Sequence, residues 1–143
     1  MKIVIDSSVW IAGIGSNKGY ASKIIDISYK IPDVEIFITN KILDEIALNL
    51  EKKFKFDRTL AINTRRIIKS LCDFEIDVDT KEKQRVRAIR YDPDKYILAL
   101  CKKIQADYLI TFDHKHLLSL KNYNSTLIIE PKAFSKILNE NYR

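Results

Sequence analysis

Residues 92–113, DPDKYILALCKKIQADYLITFD, contain the pattern that decides the fold. The first half is apolar at helical spacing and follows an Asp92-Pro93 pair, in which Asp92 suits the helix N-cap and Pro93 the first helical position. The second half contains Asp107–Thr111 (DYLIT), a short run typical of a buried strand. A helix that leads directly into a buried strand is the repeating unit of α/β domains, so this stretch predicts a parallel sheet.

The same alternation of strand and helix patterns continues along the whole chain. Strand patterns occupy Lys2–Ile5 (KIVI), Glu35–Thr39 (EIFIT) and Thr126–Ile129 (TLII), with Phe74–Val78 as a further short candidate. Helical patterns occupy Ala21–Tyr29, Ile42–Leu50, Leu60–Leu71 and Lys132–Leu138. We therefore predict a single α/β domain over residues 1–143, with a mostly parallel sheet of four to five strands.

The composition is that of a chain with one self-sufficient core. Of the 143 residues, 46% are hydrophobic, and the two cysteines, Cys72 and Cys101, form no C-x-x-C pattern of a zinc module or disulfide scaffold. No apolar run approaches the roughly 18 residues of a membrane span, and Asp6 interrupts the one stretch that imitates a signal peptide. We expect a soluble cytoplasmic protein that is not associated with a membrane.

The positive charge is concentrated in the middle of the sequence. Residues 52–90 hold twelve Lys or Arg against six Asp or Glu, whereas the rest of the chain holds thirteen of each. The whole net charge of +6 therefore lies in this segment. A localised basic segment is typical of proteins that bind nucleic acid, and the alternative from charge alone is a solvated helical surface.

Four carboxylates fall where an α/β sheet carries its functional site. In such sheets, ligands bind beyond the carboxyl ends of the strands, where the following helices begin. Asp6 follows the first strand, Asp113 follows the strand in the quoted stretch, and Asp94 lies in the first turn of the helix before that strand. Glu45 lies about one turn into its helix, at the edge of the apolar stripe.

Each of these acids also has an ordinary structural explanation. Asp6 and Asp113 suit helix N-caps, and Asp94 suits the positive end of a helix dipole. Glu45 suits a helix surface. Gathered at one sheet edge, however, carboxylates repel one another, which costs stability unless a cation neutralises them. Hard divalent ions such as Mg²⁺ and Mn²⁺ do this with oxygen ligands, and such sites promote phosphodiester hydrolysis.

Four segments, in their order and spacing, resemble a known family. They are the opening KIVIDSSVWIAGI, the helix ILDEIALNL, the segment DPDKYILALCKKIQADYLITFDHKHLL and the closing TLIIEPKAF, which together span Met1 to Phe134. With these segments the chain resembles the PIN domain family, and within it the VapC-like toxin ribonucleases of toxin–antitoxin pairs. The resemblance implies a PIN-like, Rossmann-like α/β/α sandwich.

The resemblance also implies a set of site residues. The catalytic and metal-binding acids are Asp6, Glu45, Asp94 and Asp113. Asp92 is the alternative to Asp94, because the Asp-Pro-Asp run leaves this position ambiguous by two residues. Ser8 and Thr111 are implied to orient the carboxylates through their hydroxyl groups, a role worth about tenfold to a hundredfold at other metal sites. Many relatives carry a further acid where this chain has His116, and His also binds Mn²⁺.

The implied activity is that of a Mg²⁺- or Mn²⁺-dependent endoribonuclease. The acids would hold one or two metal ions that activate a water and stabilise the charge on the phosphate. Toxins of this group form homodimers and are held inactive by a small antitoxin protein, so the resemblance implies both partners. Contacts with the RNA phosphates are expected from six basic residues: Arg58, Arg65, Arg66, Lys69, Arg85 and Arg87.

Other functions share parts of this pattern. An aspartyl-phosphate hydrolase of the haloacid type needs a second Asp where this chain has Ser8, and a flap-type nuclease needs duplex-binding elements for which the chain has no room. A non-catalytic RNA-binding or scaffold module would keep the fold without the metal, and a freestanding RNA-processing nuclease would lack the antitoxin. Phe54, Phe56 and Tyr91 are candidates for stacking on unpaired bases, with packing in the core or at an interface as the alternative.

Overall fold

A six-stranded sheet forms the centre of the protein, whose computed structural model describes residues 1–142. The strands are β1 (Lys2–Ile5), β2 (Glu35–Ile38), β3 (Phe74–Glu75), β4 (Tyr108–Ile110), β5 (Asn122–Tyr123) and β6 (Thr126–Ile129). They lie in the order β3-β2-β1-β4-β6-β5, and every pair is parallel except β5 with β6. From β1 the chain builds first toward β2 and later returns to β4 on the other side, so the strand order reverses between β1 and β4.

Helices cover both faces of the sheet. Within residues 1–142 they are α1 (Ser7–Gly15), α2 (Tyr20–Ser28), α3 (Asn40–Lys53), α4 (Arg58–Leu71), α5 (Thr80–Gln84), α6 (Lys95–Ile104) and α7 (Pro131–Asn141). Helices α1, α2, α3, α4 and α7 contact one another in a row, whereas α5 packs on α6, so the sheet lies between two helical layers. The predicted α/β/α sandwich with a mostly parallel sheet is confirmed. In the described chain, no helix is both long enough and apolar enough to cross a lipid bilayer.

The β-branched residues of β1 fill the middle of the core. Ile3, Val4 and Ile5 are fully buried, because β1 has a strand on each side and helices on both faces. Trp10 on α1 is buried as well, and its Nε1 donates a hydrogen bond to the Ile5 carbonyl at 3.1 Å. This contact fixes α1 against β1 and leaves Asp6, which lies between them, little freedom to move.

The structure differs from the sequence prediction in its shortest elements. The Phe74–Val78 candidate pairs with β2 over two residues only, and the antiparallel β5 is absent from the prediction, so six strands replace the expected four to five. A two-residue strand has no alternating pattern for the sequence to reveal. The five-residue α5, which has no buried residue, is absent from the prediction for the same reason.

The helix before β4 begins later than predicted. Asp92, Pro93 and Asp94 form a 3₁₀ turn, in which the Lys95 N–H donates to the Asp92 carbonyl, and α6 begins at Lys95. Pro93 is accommodated early in this turn, where its missing N–H leaves no hydrogen bond unmade. The prediction of Asp92 as the helix N-cap is therefore wrong, because Asp94 is the residue that precedes α6.

Candidate active site

Asp6 lies where the strand order reverses, between the end of β1 and the start of α1. Its Oδ1 accepts a hydrogen bond from the Ser7 backbone N–H at 2.9 Å, which caps α1. Its Oδ2 accepts hydrogen bonds from the Ser8 hydroxyl at 2.8 Å and from the Thr111 hydroxyl at 2.7 Å. Asp6 is only 7% exposed. Asp6 thus caps α1 with Oδ1, and the two hydroxyl groups that donate to Oδ2 hold the carboxylate in one orientation.

Two hydroxyl groups connect Asp6 to the loop after β4. The Thr111 hydroxyl donates to Asp6 and accepts a hydrogen bond from the Asp113 backbone N–H at 3.0 Å. The Ser8 hydroxyl donates to Asp6 as well and accepts a hydrogen bond from the Phe112 backbone N–H at 3.2 Å. Thr111 is fully buried, so no water competes for these bonds. The loop that carries Asp113 is therefore held in a fixed position relative to Asp6.

Asp113 and Asp94 meet at the same edge of the sheet. Asp113 Oδ1 accepts hydrogen bonds from two backbone N–H groups of its loop, both at 3.1 Å. Burial, a hydrogen bond with the Asp113 carboxyl, and the negative charges of Asp6, Asp113 and Glu45 raise the pKa of Asp94 to about 8. Asp94 makes no capping hydrogen bond with α6, and its Oδ2 is buried with no hydrogen-bond partner in residues 1–142. A role as a plain helix cap does not explain this side chain.

Glu45 brings the fourth carboxylate from α3. Thr39 caps this helix with its side chain, and Glu45 follows in the second turn on the exposed side. Partial burial and the negative charge of Asp6 raise the pKa of Glu45, while a hydrogen bond with the Ser7 side chain lowers it. Burial also raises the pKa of Asp6, against the lowering effect of its hydrogen bonds. Asp6, Glu45 and Asp94 line one cavity of about 230 Å³.

Separate elements thus bring four acids to one sheet edge: β1, α3, the turn before α6 and the loop after β4. Their donors are all carboxylate oxygens, which Mg²⁺ and Mn²⁺ prefer, and the unpartnered Asp94 Oδ2 is a buried oxygen suited to a cation. As the side chains are placed, no three Asp, Glu, His or Cys residues of the described chain form a group that could hold a metal ion. The chemistry of the donor set fits a hard divalent cation.

Two other candidate residues lie beside this cluster. Asp92 is exposed and accepts a hydrogen bond from the Lys83 ammonium group, so the Asp-Pro-Asp run turns Asp94 toward the other acids and Asp92 away from them. His116 reaches the cluster through its backbone N–H, because its ring stacks on Tyr91 with centroids 4.1 Å apart and planes 7° apart.

The basic residues expected to contact RNA fall into two groups. Arg58, Arg65, Arg66 and Lys69 lie on α4, and Arg85 and Arg87 lie in the segment after α5. Two on α4 form ion pairs, Arg65 with Asp44 at 3.1 Å and Lys69 with Glu75 at 2.8 Å. The other four are exposed and form no ion pair within residues 1–142. These four have unpaired charges available for phosphate groups.

Two residues of the acidic cavity, Lys41 and Tyr96, are absent from the sequence prediction. Both line the cavity together with the acids, and the Lys41 Nζ lies 5.3 Å from the centre of the Tyr96 ring. Lys41 lies one helical turn before Glu45, so the i, i+4 spacing on α3 is the signal that places it on the same helix face. Its ammonium group gives the acidic cavity a positive charge suited to a phosphate.

Known proteins share this fold. The sequence model of the PIN domain family matches residues 2–115, whereas no curated protein sequence is significantly similar to the chain. VapC20 of Mycobacterium tuberculosis, a sarcin-ricin loop cleaving toxin, is similar with a TM-score of 0.62 and 16% identity, covering 86% of this chain and 97% of that one. VapBC2 of Rickettsia felis, solved with a DNA fragment from its own promoter, is similar with a TM-score of 0.67 and 15% identity. The match covers 91% of this chain and 98% of that one.

Proposed function

Because the chain belongs to the PIN domain family, we propose that it is a Mg²⁺- or Mn²⁺-dependent endoribonuclease, the toxin component of a toxin–antitoxin pair. The observation that carries this proposal is the meeting of Asp6, Glu45, Asp94 and Asp113 where the strand order reverses. The similar VapC20 is a toxin that cleaves the sarcin-ricin loop, which supports RNA as the substrate.

The four acids would hold the metal, and their neighbours would position them. When bound, the ion supplies a water of lowered pKa and neutralises the charge that develops on the phosphate. Thr111 and Ser8 keep Asp6 Oδ2 in one orientation, and Thr111 also fixes the backbone of Asp113. Lys41 would attract the substrate phosphate to a cavity that is otherwise acidic. No Ser, Cys or His is needed as a nucleophile in this scheme.

Metal binding and proton release are linked at Asp94. Its raised pKa means that, in the metal-free protein, the Asp94–Asp113 pair keeps a proton to a higher pH than an isolated aspartate does. A cation binds the ionised form, so it must displace that proton. The affinity for Mg²⁺ or Mn²⁺ would therefore increase as the pH rises toward 8.

The family assignment also supports protein partners. We extend the proposal to a small antitoxin that inhibits the nuclease, to a homodimer of this chain and to a cytoplasmic location. A groove of about 910 Å³ between α1, α2 and α4 supports a protein partner, because Tyr20, Tyr29 and Ile67 line it and Ile67 is 59% exposed. Apolar surface of this kind is typical of protein interaction sites.

The test compares two aspartates of the same Asp-Pro-Asp run. Asp94→Asn removes a proposed ligand, whereas Asp92→Asn removes an exposed carboxylate that pairs with Lys83. Purified wild type is expected to cleave RNA with Mg²⁺ or Mn²⁺ and to lose activity with a chelator. Asp94→Asn should lose at least about a hundredfold of the rate, as other groups that stabilise transition-state charge do. Asp92→Asn should stay within a few-fold of wild type.

Two results would contradict the proposal. Equal rates for wild type and Asp94→Asn would show that the cleavage comes from a contaminating nuclease. If wild type binds RNA but cleaves none of several structured and single-stranded RNAs with either metal, the chain is a non-catalytic RNA-binding module. Equal loss in both variants would instead implicate Asp92 in the site.

A further inference from the structure

Tyr91 and His116 form an aromatic pair beside the acidic site. Their ring centroids are 4.1 Å apart and their planes are 7° apart, so the rings lie nearly parallel in contact. Both line a cavity of about 480 Å³, and Arg90 and Lys115 line it with them. This cavity is separate from the one that Asp6, Glu45 and Asp94 line.

Backbone hydrogen bonds connect the segments that carry the two rings to Asp94 and Asp113. The Asp94 N–H donates to the Tyr91 carbonyl at 3.3 Å, within the turn that precedes α6. The His116 N–H donates to Asp113 Oδ1 at 3.1 Å. The two segments that carry the rings are therefore the same two segments that carry the paired carboxyls. The rings therefore belong to chain segments that are fixed next to Asp94 and Asp113.

Packing alone does not explain this pair. Tyr91 is not part of the hydrophobic core, and it is 47% exposed even though His116 covers one of its faces. The other stacked pair, Phe37 with Phe74, joins two hydrogen-bonded strands of the sheet. Of the other two stacking candidates, Phe56 packs against the core, and Phe54 is 41% exposed with its ring beside Phe56 and Gly15. Tyr91 is exposed and lies in the turn that carries Asp94.

We infer that this pair is a nucleobase subsite, on which an unpaired base of the RNA stacks next to the phosphate that is cleaved. The inference rests on the proposed function and specifies the part of the substrate that the site recognises. Aromatic rings bind unpaired bases by stacking, and positive side chains bind the phosphates on either side. Tyr91 with His116 supplies the first kind of contact, and Arg90 with Lys115 supplies the second.

A binding experiment with matched variants of Tyr91 tests this inference. The background is the Asp94→Asn protein, and the probe is an unstructured, fluorescein-labelled RNA dodecamer of mixed sequence. Tyr91→Ala removes the ring, whereas Tyr91→Phe keeps it and removes only the hydroxyl. We expect Tyr91→Ala to weaken binding about five- to a hundredfold and Tyr91→Phe to stay within about twofold. Lys115→Ala should instead reduce the salt dependence of binding.

A fluorescent base gives a second measurement that does not depend on affinity. Dodecamers that carry 2-aminopurine at one position each report stacking, because the fluorescence of this base is quenched when it stacks on an aromatic ring. At one position, quenching should occur with Tyr91→Phe and be lost with Tyr91→Ala. A thermal melt of each variant shows whether the fold is intact, which is expected because Tyr91 is exposed.

The outcomes separate this inference from the proposed function. If wild type cleaves RNA but the two Tyr91 variants bind it equally, with no difference in 2-aminopurine quenching, the subsite is wrong and the nuclease stands. If wild type cleaves nothing while binding still requires the ring, the nuclease is wrong and the subsite stands. If neither wild type nor Asp94→Asn binds any RNA, the proposed nuclease and the proposed subsite are both wrong.

Discussion

The hydroxyl of Thr111 shows how single atoms organise the acidic site. It is fully buried, it donates to Asp6 and it accepts the Asp113 N–H, so it connects Asp6 to the loop that carries Asp113 through two hydrogen bonds. Removing it leaves the Asp113 N–H without its partner and lets the Asp6 carboxylate rotate. Both effects disturb the ligands without removing one.

Thr111→Val should therefore reduce activity and stability together. The isosteric change should lower the nuclease rate or the Mn²⁺ affinity about tenfold to a hundredfold, and the free energy of unfolding by about 1–3 kcal/mol. Thr126→Val is the matched control, because the buried Thr126 hydroxyl donates to the Ala106 carbonyl away from the acids. Urea unfolding and cleavage rates check the two effects. Equal losses of activity in both variants would refute a positioning role for Thr111.

A second prediction at this scale concerns the pH dependence of stability. The pKa of Asp94 is about 8 in the folded metal-free protein and roughly 3.9 in an unfolded chain, so the folded state binds this proton more tightly. Its contribution to the free energy of unfolding therefore falls as the pH rises from about 4 to about 8 and is constant above that.

Asp94→Asn removes this dependence. In the presence of a chelator, the stability of Asp94→Asn relative to wild type should increase between about pH 5 and pH 8. Wild type loses the stabilisation by its protonated carboxyl over this range, whereas the amide does not titrate. Asp92→Asn should show a difference from wild type that stays nearly constant over the same range. Denaturant unfolding at several pH values measures both curves. A relative stability of Asp94→Asn that does not change with pH would contradict the raised pKa.

At the scale of elements, the sequence predicts the helices and strands that are long enough to show a periodic apolar pattern. β1 begins and ends where predicted because Ile3, Val4 and Ile5 are buried there. β6 does so with Thr126 and Ile128 buried, and α3 begins after Thr39 because that side chain caps it. The two-residue β5 and the 3₁₀ turn at Asp92–Asp94 carry no such pattern, since pairing with β6 and local hydrogen bonds form them. Elements too short for a periodicity are set by tertiary context.

The same reason limits prediction of the candidate site. The positions of Asp6 and Asp113 follow from strand ends, which the sequence reveals. The choice between Asp92 and Asp94 depends on how one turn faces, and the stacking of His116 on Tyr91 depends on contacts between segments 25 residues apart. No local sequence pattern predicts the direction of this turn or this stacking.

Helix α4 gives a prediction about RNA contacts. Arg65 already pairs with Asp44 and Asn40 on α3, whereas the neighbouring Arg66 is exposed and forms no ion pair in the described chain. For single-stranded RNA, each phosphate contact contributes about 0.7 to the magnitude of the slope of log binding constant against log salt concentration. Arg66→Ala should therefore lower this slope by about 0.7, and Arg65→Ala should change it less. Titrations between about 50 and 200 mM salt check this, and a larger change for Arg65→Ala would refute it.

For the whole molecule, the fold separates the acidic site from the groove proposed for a partner. The acids lie at the carboxyl edge of the sheet, while the groove between α1, α2 and α4 lies on one helical layer. Because the acids come from four elements, they meet only when β1 and β4 have paired and α3 and α6 have packed on the sheet. The groove contains none of the proposed ligands, so a protein bound there can be displaced by mutation without damage to the site.

Two isoleucines of α4 test whether the antitoxin uses the groove. Ile67 lines it and is 59% exposed, whereas Ile62 is 40% exposed and does not line it. Ile67→Glu puts a charge into the apolar groove and should release the proposed nuclease from inhibition by its proposed antitoxin, when the two are produced together. Ile62→Glu should remain inhibited, and both variants should cleave RNA like wild type when alone. Cleavage rates with and without the antitoxin measure this. Equal inhibition of both variants would place the antitoxin elsewhere, because a buried carboxylate without a partner cannot be accommodated in an apolar contact without a large loss of affinity.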